Sequence, residues 1–346
     1  MSKKNSSVLK LKDLRSNNKT SLIYSNFKSQ LETSIKKKTF LVAVSGGSDS
    51  LALSALSHTY SIEKKKKFFF VLVDHGIRKN SSKEAENVKK LFKKKKINLT
   101  ILKNNKKINK NIQSHAREIR YKLLLDFCKK NKIKFIMTAH HRDDQIETFL
   151  IRLSRGSGVQ GLSAMSKINN LSSTTKLFRP LLEEKKKDLF FLAKYYFGKI
   201  FKDPSNANQK FLRIKIRNLI KRFEKSGIKH DSIINSINNL ASTRDTLNLY
   251  IKRAEKGCLI KKKNTIKINL NFFLLENNEI QLKIISNCIK KISKNYYPPR
   301  AKKVLNLLNR IQSNKNLKAT LGGCTIDKHT KNLVISKEEL KKGAKL

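Results

Sequence analysis

Through the first half of the chain, short apolar runs alternate with longer stretches of helical periodicity. Thr39–Val44, Phe68–Val73, Ile97–Leu102 and Ile133–Thr138 are mostly apolar and bounded by polar residues, as strands buried on both faces are. Between them, Leu51–Leu56 opens a helix, and Ser81 with Glu84 forms a capping box for a helix through Lys96. Ile112 to Lys130 places Ile119, Leu123, Leu124 and Phe127 on one side and Arg117, Arg120 and Lys122 toward another, and Asp143 to about Arg155 predicts a further helix. This alternation implies an α/β fold, a parallel sheet with helices on both faces, whose ligands bind beyond the carboxyl ends of the strands. Beyond about Ser226 the pattern turns mainly helical, with helices over His230–Gly257, Leu274–Asn295 and Ala301–Ile311 and a small β unit over Lys318–Lys337 around Gly322-Gly323. The expected division is therefore a first domain over 1–226 and a second over 227–346.

The polar residues that follow these strands carry the chemistry. Directly after the first come Ser45-Gly46-Gly47-Ser48-Asp49-Ser50, a tight turn into a helix start. Adjacent glycines let backbone approach a ligand, and the first-turn N–H groups and the helix dipole favour negative charge, so the turn is an anion cradle with hydroxyls from Ser45, Ser48 and Ser50. Asp49 fits beside phosphate if Mg²⁺ lies between them, or else as a helix cap. The loop lacks the lysine of a Walker A motif. After the second strand come Asp74-His75-Gly76-Ile77-Arg78, and after the fourth Ala139-His140-His141-Arg142-Asp143-Asp144-Gln145-Ile146-Glu147. Asp144 and Glu147 stand three apart and Asp143 and Glu147 four apart, so one helix face can offer two carboxylates to a metal or an amine.

Charge narrows the partner. Among 346 residues, 78 are Lys or Arg and 25 are Asp or Glu, a formal net charge of +53, as expected of a protein that neutralises many phosphates. A coding bias toward lysine explains part of this excess but not the scarcity of glutamate. No apolar run approaches the roughly 20 residues of a membrane span, and Met1 to Lys19 is basic without an apolar core, so neither a membrane nor a secretory signal is expected. Cys128, Cys258, Cys288 and Cys324 lie far apart without a C-x-x-C pair, which argues against a zinc site or disulfide scaffold and for a reducing cytoplasm. Nothing in the sequence indicates a protein partner.

The hexapeptide Ser45–Ser50 resembles the PP-loop of the ATP pyrophosphatase superfamily, Rossmann-like proteins that cleave ATP between its α and β phosphates and leave AMP on the substrate. Together with Val73–Arg78, Ala116-Arg117-Glu118-Ile119-Arg120-Tyr121 and the block Thr138 to Met165, it closely resembles the tRNA(Ile)-lysidine synthetases. Arg179-Pro180-Leu181-Leu182, Asp203-Pro204-Ser205-Asn206, Phe211, Arg213 and Arg217 continue the match in the same order. The resemblance is strong over roughly Leu41 to Arg217; Pro298-Pro299-Arg300 and Thr320–Cys324 are similar to the family's C-terminal tRNA-binding domain.

The resemblance implies an ATP- and Mg²⁺-dependent ligase acting on the wobble cytidine of tRNA(Ile) with a CAU anticodon. ATP adenylates the carbonyl oxygen at carbon 2 and releases pyrophosphate, and L-lysine then displaces AMP. Within that reaction, ATP binding is expected at Ser45–Ser50, Asp74, His75, Arg117 and Arg120, Mg²⁺ at Asp49 and Asp144, and, from position in the chain, catalysis at Asp49, His140, Asp144 and Glu147. The last three are the candidates for taking the proton of an amine whose pKa is about 10.4. Arg213, Arg217, Arg300, Lys302 and Lys303 are the candidate tRNA contacts, with an affinity that falls steeply with salt. The alternatives are a PP-loop tRNA thiolase, which needs a cysteine pair to deliver sulfur, and a non-catalytic RNA-binding protein.

Overall fold

A computed structural model describes residues 17–34, 39–76, 80–104, 112–201, 212–262, 264–295 and 298–338. Of the residues singled out in the sequence, Ile77, Arg78, Asp203–Asn206, Phe211 and the first sixteen lie outside the described residues.

The first unit, to Ala241, runs α1 (Asn18–Ser34), β1 (Phe40–Val44), α2 (Ser48–Glu63), β2 (Phe68–Asp74), α3 (Ser81–Lys94), β3 (Leu99–Lys103), α4 (Ile112–Lys130), β4 (Phe135–Met137), α5 (Arg142–Leu153), α6 (Val159–Leu162), β5 (Ile168–Asn170), β6 (Lys176–Phe178), α7 (Lys186–Phe197) and α8 (Leu212–Lys225). Its sheet has the order β3-β2-β1-β4-β6-β5. All neighbours pair in parallel except the edge strand β5, which forms a short antiparallel ladder with β6.

Alternate residues of the central strands face opposite layers, as the two-residue period of a strand requires. Phe40, Val42, Val44, Phe70 and Leu72 pack with residues of α1, α2, α3 and α7, whereas Leu41, Val71 and Ile136 pack with Leu124 and Cys128 of α4. Burial on both faces is why these strands are nearly unbroken apolar runs. The chain moves outward from β1 through β2 to β3 and then crosses to β4 on the other side of β1. The carboxyl ends of β1 and β4 therefore flank a topological switch point, where open α/β sheets hold ligands.

One local expectation is corrected. Helix α3 is capped by Asn80, whose carbonyl accepts from Glu84 N–H at 3.0 Å, and not by Ser81. The Ser82 hydroxyl instead donates to Asp74 at 2.6 Å. A carboxylate at the end of β2 draws the hydroxyls of this helix start away from capping.

The second unit begins at Ser242, within α9 (His230–Cys258), and continues with β7 (Leu259–Lys261), β8 (Thr265–Asn269), α10 (Leu270–Phe273), α11 (Asn278–Ser293), α12 (Ala301–Ser313), β9 (Leu317–Leu321), β10 (Cys324–His329) and β11 (Asn332–Lys337). The β unit is larger than its expected span, an antiparallel sheet of order β7-β8-β11-β10-β9. Ile266, Ile268, Ile326, Leu333 and Ile335 face Ile284, Ile285, Ile289, Val304, Leu308 and Ile311 of α11 and α12. Gly322 and Gly323 form the two-residue β9–β10 turn with φ of +64° and +79°, the left-handed geometry that such hairpins require. Among the described residues, no helix is long and apolar enough to cross a membrane.

Candidate active site

The loop after β1 is shaped by its own hydroxyls. Ser50 Oγ accepts from Ser45 N and Ser45 Oγ, each at 3.1 Å, and donates to Gly47 O at 3.0 Å. The first helical bond of α2 runs from Leu51 N to Gly47 O at 3.0 Å, so the N–H groups of Ser48, Asp49 and Ser50 lie ahead of it at the positive end of the helix. Gly46 has φ of +85°, and a Cβ there would lie 2.8 Å from Val88 Cγ2. The Gly46 carbonyl accepts from Phe201 N at 3.4 Å, which ties the segment after α7 to the loop. Gly46→Ala must therefore shift the cradle by some tenths of an ångström. The expected result is a fall in adenylation rate of about 10-fold, short of the ~10²-fold that a full 1 Å misplacement can cost, read by pyrophosphate release with folding checked by circular dichroism.

Opposite this loop, the turn after β4 carries two adjacent histidines with different surroundings. His141 is buried, and its Nε2 lies 3.5 Å from Asp49 Oδ2 and 3.7 Å from Asp144 Oδ2. Its backbone N–H donates to Asp144 Oδ2 at 3.1 Å, which opens α5. Burial pushes the His141 pKa down, but the Asp49 hydrogen bond and the charges of Asp144, Asp49 and Asp143 outweigh it and raise it above its ordinary value. Conversely, burial raises the Asp49 carboxyl, and hydrogen bonding and charge from His141, with smaller help from Ser48 and Lys186, outweigh it and lower it. Two carboxylates from separate elements thus converge on one buried imidazole and favour its protonated form.

His140 turns the other way. Its Nδ1 lies 2.9 Å from Thr138 Oγ1, and its pKa is lowered by burial and by the charges of Arg179, Arg117 and Arg213, against the opposing pull of Asp144. It is therefore neutral at neutral pH, at the edge of a group of three guanidinium groups from α4, the turn after β6, and α8. Arg179 is itself buried and holds the Ser166 carbonyl with a 2.7 Å hydrogen bond from Nη1.

At the end of β2, Asp74 accepts from Gly76 N at 3.0 Å and from Ser82 Oγ at 2.6 Å. Burial raises its carboxyl, but the hydroxyls of Ser82 and Ser81, the Gly76 N–H and Lys103 outweigh it and lower its pKa. Arg120 donates from Nε and Nη2 to His75 Nε2 at 3.2 and 3.1 Å. Burial and the Arg120 charge lower the His75 pKa to about 4, against Asp74. Arg117 and Arg120, three apart on α4, thus serve different neighbourhoods.

Glu147, one turn beyond Asp144, is buried and held by a guanidinium fork. Arg217 Nε donates to Oε1 at 2.5 Å and Nη2 to Oε2 at 3.4 Å, joining α5 to α8. Ile146, Leu150, Ile216 and Ile220 pack around this bridge. On the far side of α5, Gln145 clasps Met165 with bonds of 2.9 and 2.8 Å, and Arg152 Nη1 holds the Gly161 and Ala164 carbonyls at 2.7 Å each.

The first unit thus gathers Ser45–Ser50, His140, Asp144 and Glu147 at the carboxyl ends of β1 and β4, with Arg117, Arg213 and Arg217 beside them and Asp74, His75 and Arg120 after β2. Arg300, Lys302 and Lys303 lie in the second unit, exposed at the start of α12. Sequence reasoning missed three contributors: His141, Arg179 and Lys186. Both histidines follow an apolar strand, and nothing in their order indicates which one turns toward the loop. Among the described residues, no group of three or more His, Cys, Asp or Glu side chains could hold a metal; Asp49 and Asp144 offer two carboxylates.

A family described as a PP-loop domain matches residues 19–223. The chain is 37% identical over 304 residues to the tRNA(Ile)-lysidine synthase of Wolbachia pipientis wMel, covering 86% of this chain and 70% of that protein. It is 32% identical over 305 residues to that of Rickettsia felis, covering 87% and 70%. Among solved structures, a U34-tRNA thiolase from Methanococcus maripaludis superposes with a TM-score of 0.54 at 18% identity, over 65% of this chain and 79% of that one, a likeness of fold.

Proposed function

The chain belongs to the PP-loop tRNA(Ile)-lysidine synthase family, and from that membership we propose that it ligates L-lysine to carbon 2 of the wobble cytidine of tRNA(Ile) with a CAU anticodon, forming lysidine, AMP and pyrophosphate. The observation that carries this reading is the meeting of the anion cradle, through Asp49, with Asp144 at the start of α5 across His141. An ATP site and an acidic site for an amine share one boundary, as a two-step ligation needs.

In the first step, the N–H groups and hydroxyls of Ser45–Ser50 hold the departing pyrophosphate and stabilise charge developing at the α–β bridge. Arg117 beside His140, and the separate group of Asp74, His75 and Arg120 at the end of β2, complete the nucleotide side. On the nucleotide side, Asp49 supplies a hard oxygen donor of the kind Mg²⁺ prefers. A single carboxylate there would fit an ion that draws its other ligands from phosphate and water. Bound there, Mg²⁺ supplies neutralisation of phosphate charge.

In the second step, Asp144 presents negative charge to the lysine ammonium. Glu147 is committed to Arg217 as an ionised partner, and His140, kept neutral by burial and three arginines, is a weak base. Asp144 is therefore the group that accepts the amine proton as the C–N bond forms and AMP leaves. Arg213 and, from the second unit, Arg300, Lys302 and Lys303 contact tRNA phosphates. A cytoplasmic site of action, where tRNA, ATP and lysine meet, completes the proposal.

Sulfur transfer is disfavoured by the cysteines. All four are buried, and burial pushes Cys128 and Cys288 up to about 12 and Cys258 to about 11, far from the thiolate that sulfur relay requires. The test is incubation with ATP, Mg²⁺, L-lysine and unmodified tRNA, followed by digestion and mass spectrometry. Lysine added to cytidine is the expected product. Thiolation with a sulfur donor would support a thiolase, and RNA binding without ATP turnover a non-catalytic binder.

A further inference from the structure

Helix α7 buries Leu189, Leu192, Ala193, Tyr196 and Phe197 against the sheet layer, as an amphipathic helix does. Its outward face should then be polar, and it is not. Phe190, Phe191 and Tyr195 are 49%, 40% and 44% exposed. With Lys187 and Lys194, which are also exposed, they form one stripe at i, i+3, i+4, i+7 and i+8. The buried core is supplied by the inner face of the same helix, so these exposed rings are surplus to it.

The rings are also organised. Phe191 and Tyr195 lie nearly parallel, 19° apart with centroids at 6.1 Å. The Lys19 ammonium from α1 stands 6.0 Å from the Phe191 centroid and pairs with Asp188 at 2.5 Å. The helix itself starts near the reaction centre: Glu184, two residues before α7, accepts from the backbone N–H of Arg142, the first residue of α5, at 3.1 Å, and the charge of Lys186 helps lower the Asp49 carboxyl. From Lys187 to Tyr195 the stripe runs about 12 Å along the helix at ~1.5 Å per residue.

We propose that the outward face of α7 is a stacking platform for unpaired bases of the tRNA anticodon loop, flanking the cytidine that enters the site. This rests on the proposed lysidine reaction. A base that reaches a buried reaction centre must leave its stack, and its neighbours then lose a stacking partner. Exposed rings interleaved with cations replace that partner without reading sequence. The occupant follows from charge. With a net charge of +53 on the chain and lysines set between the rings, pairing of this face with a second copy would place ammonium against ammonium, whereas a polyanion with π-faces satisfies both features.

The platform is tested with the full chain and an anticodon stem-loop RNA carrying 2-aminopurine beside the wobble position. The wild-type protein quenches the probe. Phe191→Ala/Tyr195→Ala, and equally Phe191→Leu/Tyr195→Leu, which keeps apolar bulk but removes the rings, relieve the quenching and weaken RNA binding about 10-fold or more, as loss of one stacked base does. In full-length tRNA assays they raise KM for tRNA by a similar factor while KM for ATP stays at the wild-type value. Ile62→Ala, at an exposed apolar residue of α2, behaves as wild type. Wild-type affinity and quenching in the leucine pair would overturn the proposal, as would a dimer in sedimentation that the leucine pair abolishes without loss of RNA binding. Quenching by wild-type protein that forms no lysidine would sink the reaction and leave the platform standing. Lysidine formation with an unchanged KM for tRNA in both pairs would sink the platform alone.

Discussion

Asp144→Asn slows transfer of lysine to adenylated tRNA about 10³-fold, within the usual range for loss of a general base, and leaves tRNA-dependent ATP–pyrophosphate exchange far less affected. The asymmetry follows from position. Asp144 opens α5, where its Oδ2 accepts the His141 backbone N–H at 3.1 Å. An asparagine oxygen can accept the same bond, so the helix start survives and the change removes charge and basicity without removing the cap. The pyrophosphate cradle is built by a different element, the β1–α2 loop, and its internal bonds run through Ser45, Gly47 and Ser50. Single-turnover transfer from preformed adenylate, measured beside exchange in the same preparation, separates the two steps. Equal losses in both assays would move Asp144 to the ATP half of the reaction.

Arg217→Met destabilises the first unit by about 3 kcal/mol, the cost of stranding a buried carboxylate. Glu147 is buried, and both its oxygens are taken by the Arg217 fork. Methionine keeps much of the apolar stem among Ile216, Ile220, Ile146 and Leu150, so loss of packing is minor and the unpaired charge dominates. Adding Glu147→Gln to Arg217→Met recovers more than half of the loss, because it removes that charge. Denaturant midpoints of the wild type, both single variants and the double variant close the cycle. A double variant no more stable than Arg217→Met would show that the bridge is not what the arginine contributes.

How much of this was legible in the sequence depends on the range of the forces involved. Strands β1 and β2 were legible because burial on both faces leaves unbroken apolar runs such as Leu41-Val42-Ala43-Val44. The cradle was legible because a paired glycine between strand and helix has few other uses, and Gly46, at φ +85° against Val88, has the geometry that requires one. The capping box at Ser81 failed because a carboxylate at the end of the preceding strand, Asp74, draws the hydroxyls of that helix start, a contact that capping patterns do not include. Strand β8 carried the alternation Ile266-Lys267-Ile268, but within a lysine-rich stretch three residues of contrast are too few to set a strand apart from a connection between two expected helices. The Glu147–Arg217 fork joins residues 70 apart, and the sequence placed its two ends in different roles, one catalytic and one for RNA. The choice between His140 and His141 depends on how a single turn leaves β4, which no periodicity encodes.

The central claim is that the Ser45–Ser50 cradle holds pyrophosphate while AMP rests on an RNA base, and isotope exchange tests it most directly. Purified protein is incubated with ATP, Mg²⁺, labelled pyrophosphate and an unmodified tRNA(Ile) transcript, without lysine. Label should enter ATP only when the transcript is present, and Gly46→Ala should lose that exchange in proportion to its loss of adenylation. No label in ATP with the cognate transcript, or exchange at the same rate without any RNA, would contradict it.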